Sequence, residues 1–226
     1  MDKTKRLSTT DYIYEQIKKD IIEFTYEPNG RLVEDSLAKK MEISRTPLRQ
    51  ALYRLELEGL IVKKANGRMA VAPMSMKEAK ELFMVREVME GLIAREATLN
   101  IAQSNDFDGI INKFEDITFL MRNSAENERK MDVVSYGSDF HSLLGEYSNN
   151  ATAVNLLEQI NNRVSRYRRL GVYKDPEYPR TLPVEEHEEV LKHMKAKSEH
   201  AAEAAMRAHI KRSLKNTIHG LSYLSL

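Results

Sequence analysis

The sequence predicts a mostly α-helical chain in two parts: an N-terminal winged helix-turn-helix over residues 1–74, then an all-α bundle of six or seven helices over residues 75–226. Three observations lead there. Two helical patterns separated by a very short turn are followed by an Asn-Gly hairpin signal. From Ser75 onward, apolar residues recur at helical spacing with almost no strand signal. Pro73-Met74-Ser75 marks the change between the two patterns.

The first part is built element by element. A helix from Asp11 to about Phe24 spaces Ile13, Ile17, Ile21 and Ile22 along one side, and Glu27-Pro28-Asn29-Gly30 turns the chain. Val33 to Met41 reads as a short helix with Leu37, Ala38 and Met41 inward. Glu42-Ile43 is a turn short enough to set two helices at a steep angle. In the helix that follows, Leu48, Leu52 and Leu55 fall at i, i+4 and i+7. Ser44 is placed to cap its start, Pro47 is tolerated in the first turn, and Gly59 ends it. Arg45 and Arg49 stand one turn apart, clear of that stripe. Leu60-Ile61-Val62 and Met69-Ala70-Val71-Ala72 are short apolar strands around Lys63-Lys64-Ala65-Asn66-Gly67-Arg68, a hairpin with a basic tip. Arginines at the start of a helix whose other side anchors a small core are placed to read a DNA major groove. The plain alternative is a small helical domain with solvated surface charges.

The bundle opens with a helix capped by Ser75 and running to about Ala102, with Leu82, Val85, Met89, Leu92, Ile93 and Ala97 on its apolar side. Ser104-Asn105-Asp106 starts a second, to about Met121, using Phe107, Ile110, Ile111, Phe114 and Phe119. Residues 122–130 read as a loop. Helices at about 131–147 and 151–170 follow. Gly171 to Pro183 interrupts the pattern, and two more helices cover about 184–197 and 199–223. His141, His187 and His209 fall on three different helices. Each alone reads as an ordinary surface or core imidazole.

Composition bounds these readings. With 226 residues there is length for two cores. No run reaches the apolar length of a membrane span, and the start lacks a signal peptide's hydrophobic core. The absence of cysteine excludes disulfides and thiolate metal sites and leads us to expect a cytoplasmic protein without membrane contact. Net charge is only +1, with 14 Lys/Arg against 11 Asp/Glu in residues 1–75 and 21 against 23 in the rest. Specific contacts therefore matter more than bulk charge, although phosphate contacts still make affinity salt-dependent.

The first part resembles the GntR family of bacterial transcription regulators. The resemblance rests on Glu27-Pro28-Asn29-Gly30-Arg31-Leu32, Leu37-Ala38, Ile43-Ser44-Arg45-Thr46-Pro47-Leu48-Arg49, Ala51-Leu52, Leu55-Glu56, Glu58-Gly59-Leu60 and Gly67. It implies that Arg45, Thr46 and Arg49, with Ser44 at the helix start, contact a double-stranded operator. Gly67 would let the wing enter the minor groove with Arg68 close by. Gln50 stands where the family commonly has glutamate, a departure that bears on an intramolecular contact rather than on DNA reading. The second part resembles the FCD ligand-binding domain of the FadR-like branch, through residues 139–144 with Asn149-Asn150, 186–191 and 201–210. That resemblance implies a homodimer on a palindromic operator and a small carboxylate effector bound in the bundle. It also implies a divalent metal, zinc or nickel, held by an aspartate and three histidines, the latter matching His141, His187 and His209. One departure stands out. The family's aspartate lies four residues before the first histidine, where this chain has Gly137, and Asp139 falls on nearly the opposite side of the helix. Arg86, in the first bundle helix, is placed by the resemblance to face the cavity and hold an acid, or else it pairs with Glu90 one turn away. Arg163, Arg166 or a neighbour in 161–169 would add a second cation. Two other readings stay open: a metal-free, effector-free dimerisation bundle, and a metal-dependent enzyme using Glu186 or Glu188 as base.

Overall fold

The structure, a computed structural model, describes residues 8–174, 178 and 181–224. Residues 175–177 and 179–180, in the interruption expected after Gly171, lie outside the described part. Among the described residues there are nine helices and three short strands, and these fall into two compact units that divide between Met74 and Ser75, with Ile160–Arg166 grouped with the first.

The first unit begins with α1 (Thr9–Ile22), two residues earlier at each end than expected, because Ser8 is its N-cap and accepts from the Asp11 amide. Phe24 lies beyond the helix at φ 60°. Strand β1 (Arg31–Leu32) precedes α2 (Glu34–Met41), and Glu42, in the left-handed region, makes the sharp turn into α3 (Arg45–Leu57). Ser44 occupies the N-cap position, but its hydroxyl makes no capping hydrogen bond. That exposed hydroxyl is left to solvent. Gly59, at φ +71°, turns the chain out of α3 into β2 (Ile61–Lys63), which pairs antiparallel with β3 (Met69–Val71). The wing has a third strand that the sequence reading omitted: β1 pairs antiparallel with β3 on its other edge, Arg31 opposite Ala70 and Leu32 opposite Met69. The core is one apolar cluster joining Ile13, Ile17 and Ile21 of α1 to Leu37, Leu48, Leu52, Leu55 and Val71.

The second unit is a bundle of six helices among the described residues: α4 (Met76–Ala102), α5 (Phe107–Glu126), α6 (Lys130–Ser148), α7 (Ala151–Lys174), α8 (Leu182–Lys195) and α9 (Glu199–Ser222). Ser75 caps α4, accepting from the Glu78 amide. Helix α4 packs on α9 and α6, and α8 packs on α9, α5 and α6. Edge-to-face packing of Phe114 on Phe140, 5.0 Å between centroids, joins α5 to α6. Two side chains expected inward are outside: Phe119 is 70% exposed and Val85 53%. In α4 the reason is that the helix is apolar on more than one side. Leu82, Ile93 and Ala97 fill the core, whereas Met84, Val85 and Val88 form a second stripe that faces outward.

Leu52 of α3 is 1% exposed and lies in the first unit's single core cluster. Leu52→Ala is expected to cost about 2–5 kcal/mol through lost burial and a residual cavity. Urea unfolding monitored on the first unit checks this, and a loss below about 1 kcal/mol would contradict the packing described.

Candidate functional site

Two groups of residues stand out. On the first unit, Arg45 and Arg49 project from the start of α3 on the side opposite Leu48, Leu52 and Leu55, each 64% exposed at its side chain. Arg45 lies 3.0 Å from Asp35, and the Arg49 Nε donates to Glu34 at 2.8 Å, both carboxylates coming from α2. Exposed pairs of this kind contribute about 0–1 kcal/mol, so these guanidiniums are readily exchanged onto phosphate oxygens or base edges. Thr46 and Ser44 are exposed beside them, and Gln50 accepts from the Thr10 hydroxyl at 3.1 Å. At the wing tip, Gly67 sits at φ +75° with nothing within 4 Å of where a Cβ would be. The turn is closed by the Gly67 amide donating to the Lys64 carbonyl at 2.8 Å and the Arg68 amide donating to the Asn66 side chain at 3.1 Å. Lys63, Lys64 and Arg68 are all exposed there.

In the bundle, helices α6, α8 and α9 bring His141, His187 and His209 together. One ligand nitrogen from each lies within 4.8 Å of the others, and the His187 and His209 rings are 4.5 Å apart at their centroids. Each ring is oriented through Nδ1 by a group that only accepts. His141 donates to Glu90 at 2.9 Å, His187 to the Pro183 carbonyl at 2.6 Å, and His209 to Glu186 at 2.7 Å. Those acceptors place the proton on Nδ1 and leave each Nε2 with its lone pair. Burial holds all three imidazoles below their ordinary pKa; for His187 the neighbouring His209 and His141 add to it, and for His209 so does His141. The rings are therefore neutral at physiological pH. The Nε2 atoms of His187 and His209 are buried with no hydrogen-bond partner, a cost unless a cation or donor meets them. Three neutral imidazoles, each braced from behind, fit a zinc- or nickel-type ion.

The surroundings are charged. Arg86 and Glu90, one turn apart on α4, form a buried pair at 3.1 Å with side chains 4% and 7% exposed. Burial works against the Glu90 carboxylate, but its His141 and Arg86 partners outweigh that and hold it well below the usual carboxylate range. Arg86 also lies 3.3 Å from the His141 Nε2. It is thus beside the histidines, but it does not line the cavity that opens on them. That cavity is lined instead by His187, His209, Gly137, Arg168, Arg212 and Asn216, among others. Its water-accessible space is about 20 Å³, room for roughly one water. Asp139 is exposed and takes no part in the cluster. The sequence reading missed Glu90 and Glu186 as orienting groups. Glu186, which also pairs with Arg212, serves a histidine on another helix, a contact that no sequence spacing reveals. Arg168 had a signal, the basic run 161–169, but nothing in that run singled it out.

A family model for the FCD domain matches residues 81–212, and one for bacterial regulatory proteins of the gntR family matches residues 9–71. The chain is 28% identical over 224 residues to the uncharacterized HTH-type transcriptional regulator YdhC of Bacillus subtilis, covering 98% of this chain and 97% of that one. It is 24% identical to the HTH-type transcriptional repressor RspR of Escherichia coli, covering 88% and 84% respectively. Among solved structures, McbR/YncC of E. coli shares the fold with a TM-score of 0.79 at 16% identity, covering 94% of this chain and 98% of that one.

Removing the buried carboxylate tests this geometry. Glu90→Ala leaves the Arg86 guanidinium buried without a counter-charge, and breaking such a pair costs about 3–5 kcal/mol. Chemical denaturation is expected to show a loss of that size, and a loss below about 1 kcal/mol would mean that Arg86 and His141 are not organised by Glu90.

Proposed function

Because the chain belongs to the GntR family of bacterial regulatory proteins and carries an FCD domain, we propose that this DNA-binding transcription regulator is a metabolite-responsive repressor whose helical domain, residues 75–226, senses a small organic acid. It works in the cytoplasm as a homodimer, and the winged helix-turn-helix of residues 1–74 reads a palindromic operator. The observation that carries the sensing half is the pair of buried, unpartnered Nε2 atoms beside His141.

On this reading Arg45, Thr46 and Arg49 reach base edges and phosphates from α3, with Ser44 at the helix start. Gly67 lets the wing backbone approach the adjacent minor groove with Arg68 beside it. His141, His187 and His209 hold a divalent zinc or nickel ion through Nε2. When bound, the ion supplies a positive centre for a carboxylate effector. Glu90, the Pro183 carbonyl and Glu186 keep the three rings aimed, and Arg86 keeps Glu90 ionised beside them. The acid regulates only if it binds the operator-bound and released conformations with different affinity. Dimerisation finds support in the second stripe of α4. Met84, Val85 and Val88 are each more than half exposed, and Val85, Val88, Leu92 and Leu99 keep a heptad-like spacing that suits pairing with a second copy. An enzymatic role is not favoured. Glu186 is held by His209 and Arg212, and Glu188 forms an ion pair with Arg122 at 2.5 Å, so neither is placed as a general base toward the cluster.

Two experiments test the reading. Arg45→Ala and Arg49→Ala are each expected to weaken binding to an operator selected from genomic fragments by about 10- to 100-fold, equivalent to about 1–3 kcal/mol, with the dimer intact. Footprints unchanged in both variants would remove α3 as the reading helix. Val88→Glu is expected to give monomers in sedimentation velocity at concentrations where the parent chain is dimeric; a Val88→Glu dimer would place the interface elsewhere.

A further inference from the structure

The polar centre of the bundle is short of negative charge. Around the histidines stand three guanidiniums, Arg86, Arg168 and Arg212, against two carboxylates, Glu90 and Glu186. Both carboxylates are turned to the Nδ1 side of the rings, away from the Nε2 lone pairs. The cavity lining includes no carboxylate at all, and imidazoles that give their lone pairs to a metal are neutral. A divalent ion placed there faces an uncompensated positive field with no anionic ligand from the protein.

The same cavity has hydrogen-bond donors without acceptors. Arg212 Nη1 and Asn216 Nδ2 are buried with no partner. Arg168 donates from Nη1 to the Ser138 hydroxyl at 3.0 Å and has no carboxylate partner among the described residues. Opposite them, Gly137 borders the cavity in the middle of α6. A glycine at such a helix position costs about 0.5–1 kcal/mol relative to alanine, and nothing nearby forces it. An added Cβ would meet His187 and Met121 at 3.5 Å, which is ordinary contact, and the backbone there is helical. The glycine keeps open a space at the face of His187.

We propose that the acid itself supplies the anionic group that the protein withholds: a small dicarboxylate places one carboxylate beside Gly137 at the histidine cluster and the other on Arg168, Arg212 and Asn216, so that ion and acid bind as a pair. This rests on the acid-and-metal reading above and adds two things to it, the charge class of the acid and an obligatory coupling between the two ligands. By linkage, the factor by which the acid tightens the ion equals the factor by which the ion tightens the acid. The cavity admits the acid only as its lining side chains give way, so Gly137 and Arg168 set which acids fit.

The test measures zinc affinity of the full chain by competition with a chromophoric chelator, with and without acetate, malonate, succinate, malate or citrate, alongside thermal shifts for each acid with and without zinc. The expected result is at least tenfold tighter zinc with one of the multivalent acids and little change with acetate. In Gly137→Asp, zinc alone is expected to bind tightly and the acid's enhancement to vanish; in Arg168→Ala the enhancement is expected to vanish as well. The wild-type coupling stands as a test even if neither variant folds. An acid that shifts the melting temperature equally with and without zinc, leaving zinc affinity unchanged, overturns the pairing while the sensor reading survives. If no acid in the panel shifts melting or zinc affinity, both the pairing and the acid-sensor reading fall.

Discussion

The bundle is organised around one buried carboxylate, Glu90. It sits on α4 with Arg86 one turn before it and receives the Nδ1 proton of His141 from α6. A buried ion pair of this kind gives little net stability, since desolvation offsets most of the attraction. What it provides is orientation. Glu90 fixes which nitrogen of His141 carries the proton and which way the ring faces. His187 and His209 are aimed by different means, a backbone carbonyl one turn back on α8 and a carboxylate that Arg212 also holds. Three unlike supports thus produce one arrangement, in which three lone pairs converge without any of the rings being charged.

The two halves of the chain use electrostatics in opposite ways. On α3 the charges are exposed and paired with exposed carboxylates, so each interaction is weak, screened by salt and exchanged at little cost for a nucleic-acid contact. In the bundle the charges are buried and coupled, and a ligand that completes the cluster changes the energy of the whole group. Weak surface pairs suit a reading surface that must release its target, while buried groups with vacant lone pairs suit a sensor.

Much of the first unit was legible because its signals are local. The isoleucine spacing of α1, the short turn at Glu42-Ile43, the leucine stripe of α3 and the Asn-Gly hairpin each lie within one element or at one junction. Strand β1 escaped because two residues carry no periodicity, and its partner β3 is far along the chain. In the bundle, helix positions followed the apolar spacing closely, with α4 ending at Ala102 as expected. Faces were harder to assign. Val85 and Phe119 belong to apolar sides of their helices, and only tertiary packing decides which side is covered. The three histidines were found through resemblance rather than spacing. Glu90, Glu186 and Arg168 then follow from helix packing, since their partners lie on other helices or beyond one turn. The glycine at 137 was visible in the sequence as a missing carboxylate, and the structure adds the cavity beside it.

The central claim is that the bundle holds three neutral imidazoles with Nδ1 protonated and Nε2 free to bind. Long-range ¹H–¹⁵N correlation spectra of histidine-labelled, metal-free protein at neutral pH read protonation at each ring nitrogen directly. The account predicts that His141, His187 and His209 all appear as the Nδ1–H tautomer, with Nε2 at the shift of an unprotonated nitrogen. Imidazolium signals, or the Nε2–H tautomer, at His187 or His209 would contradict it.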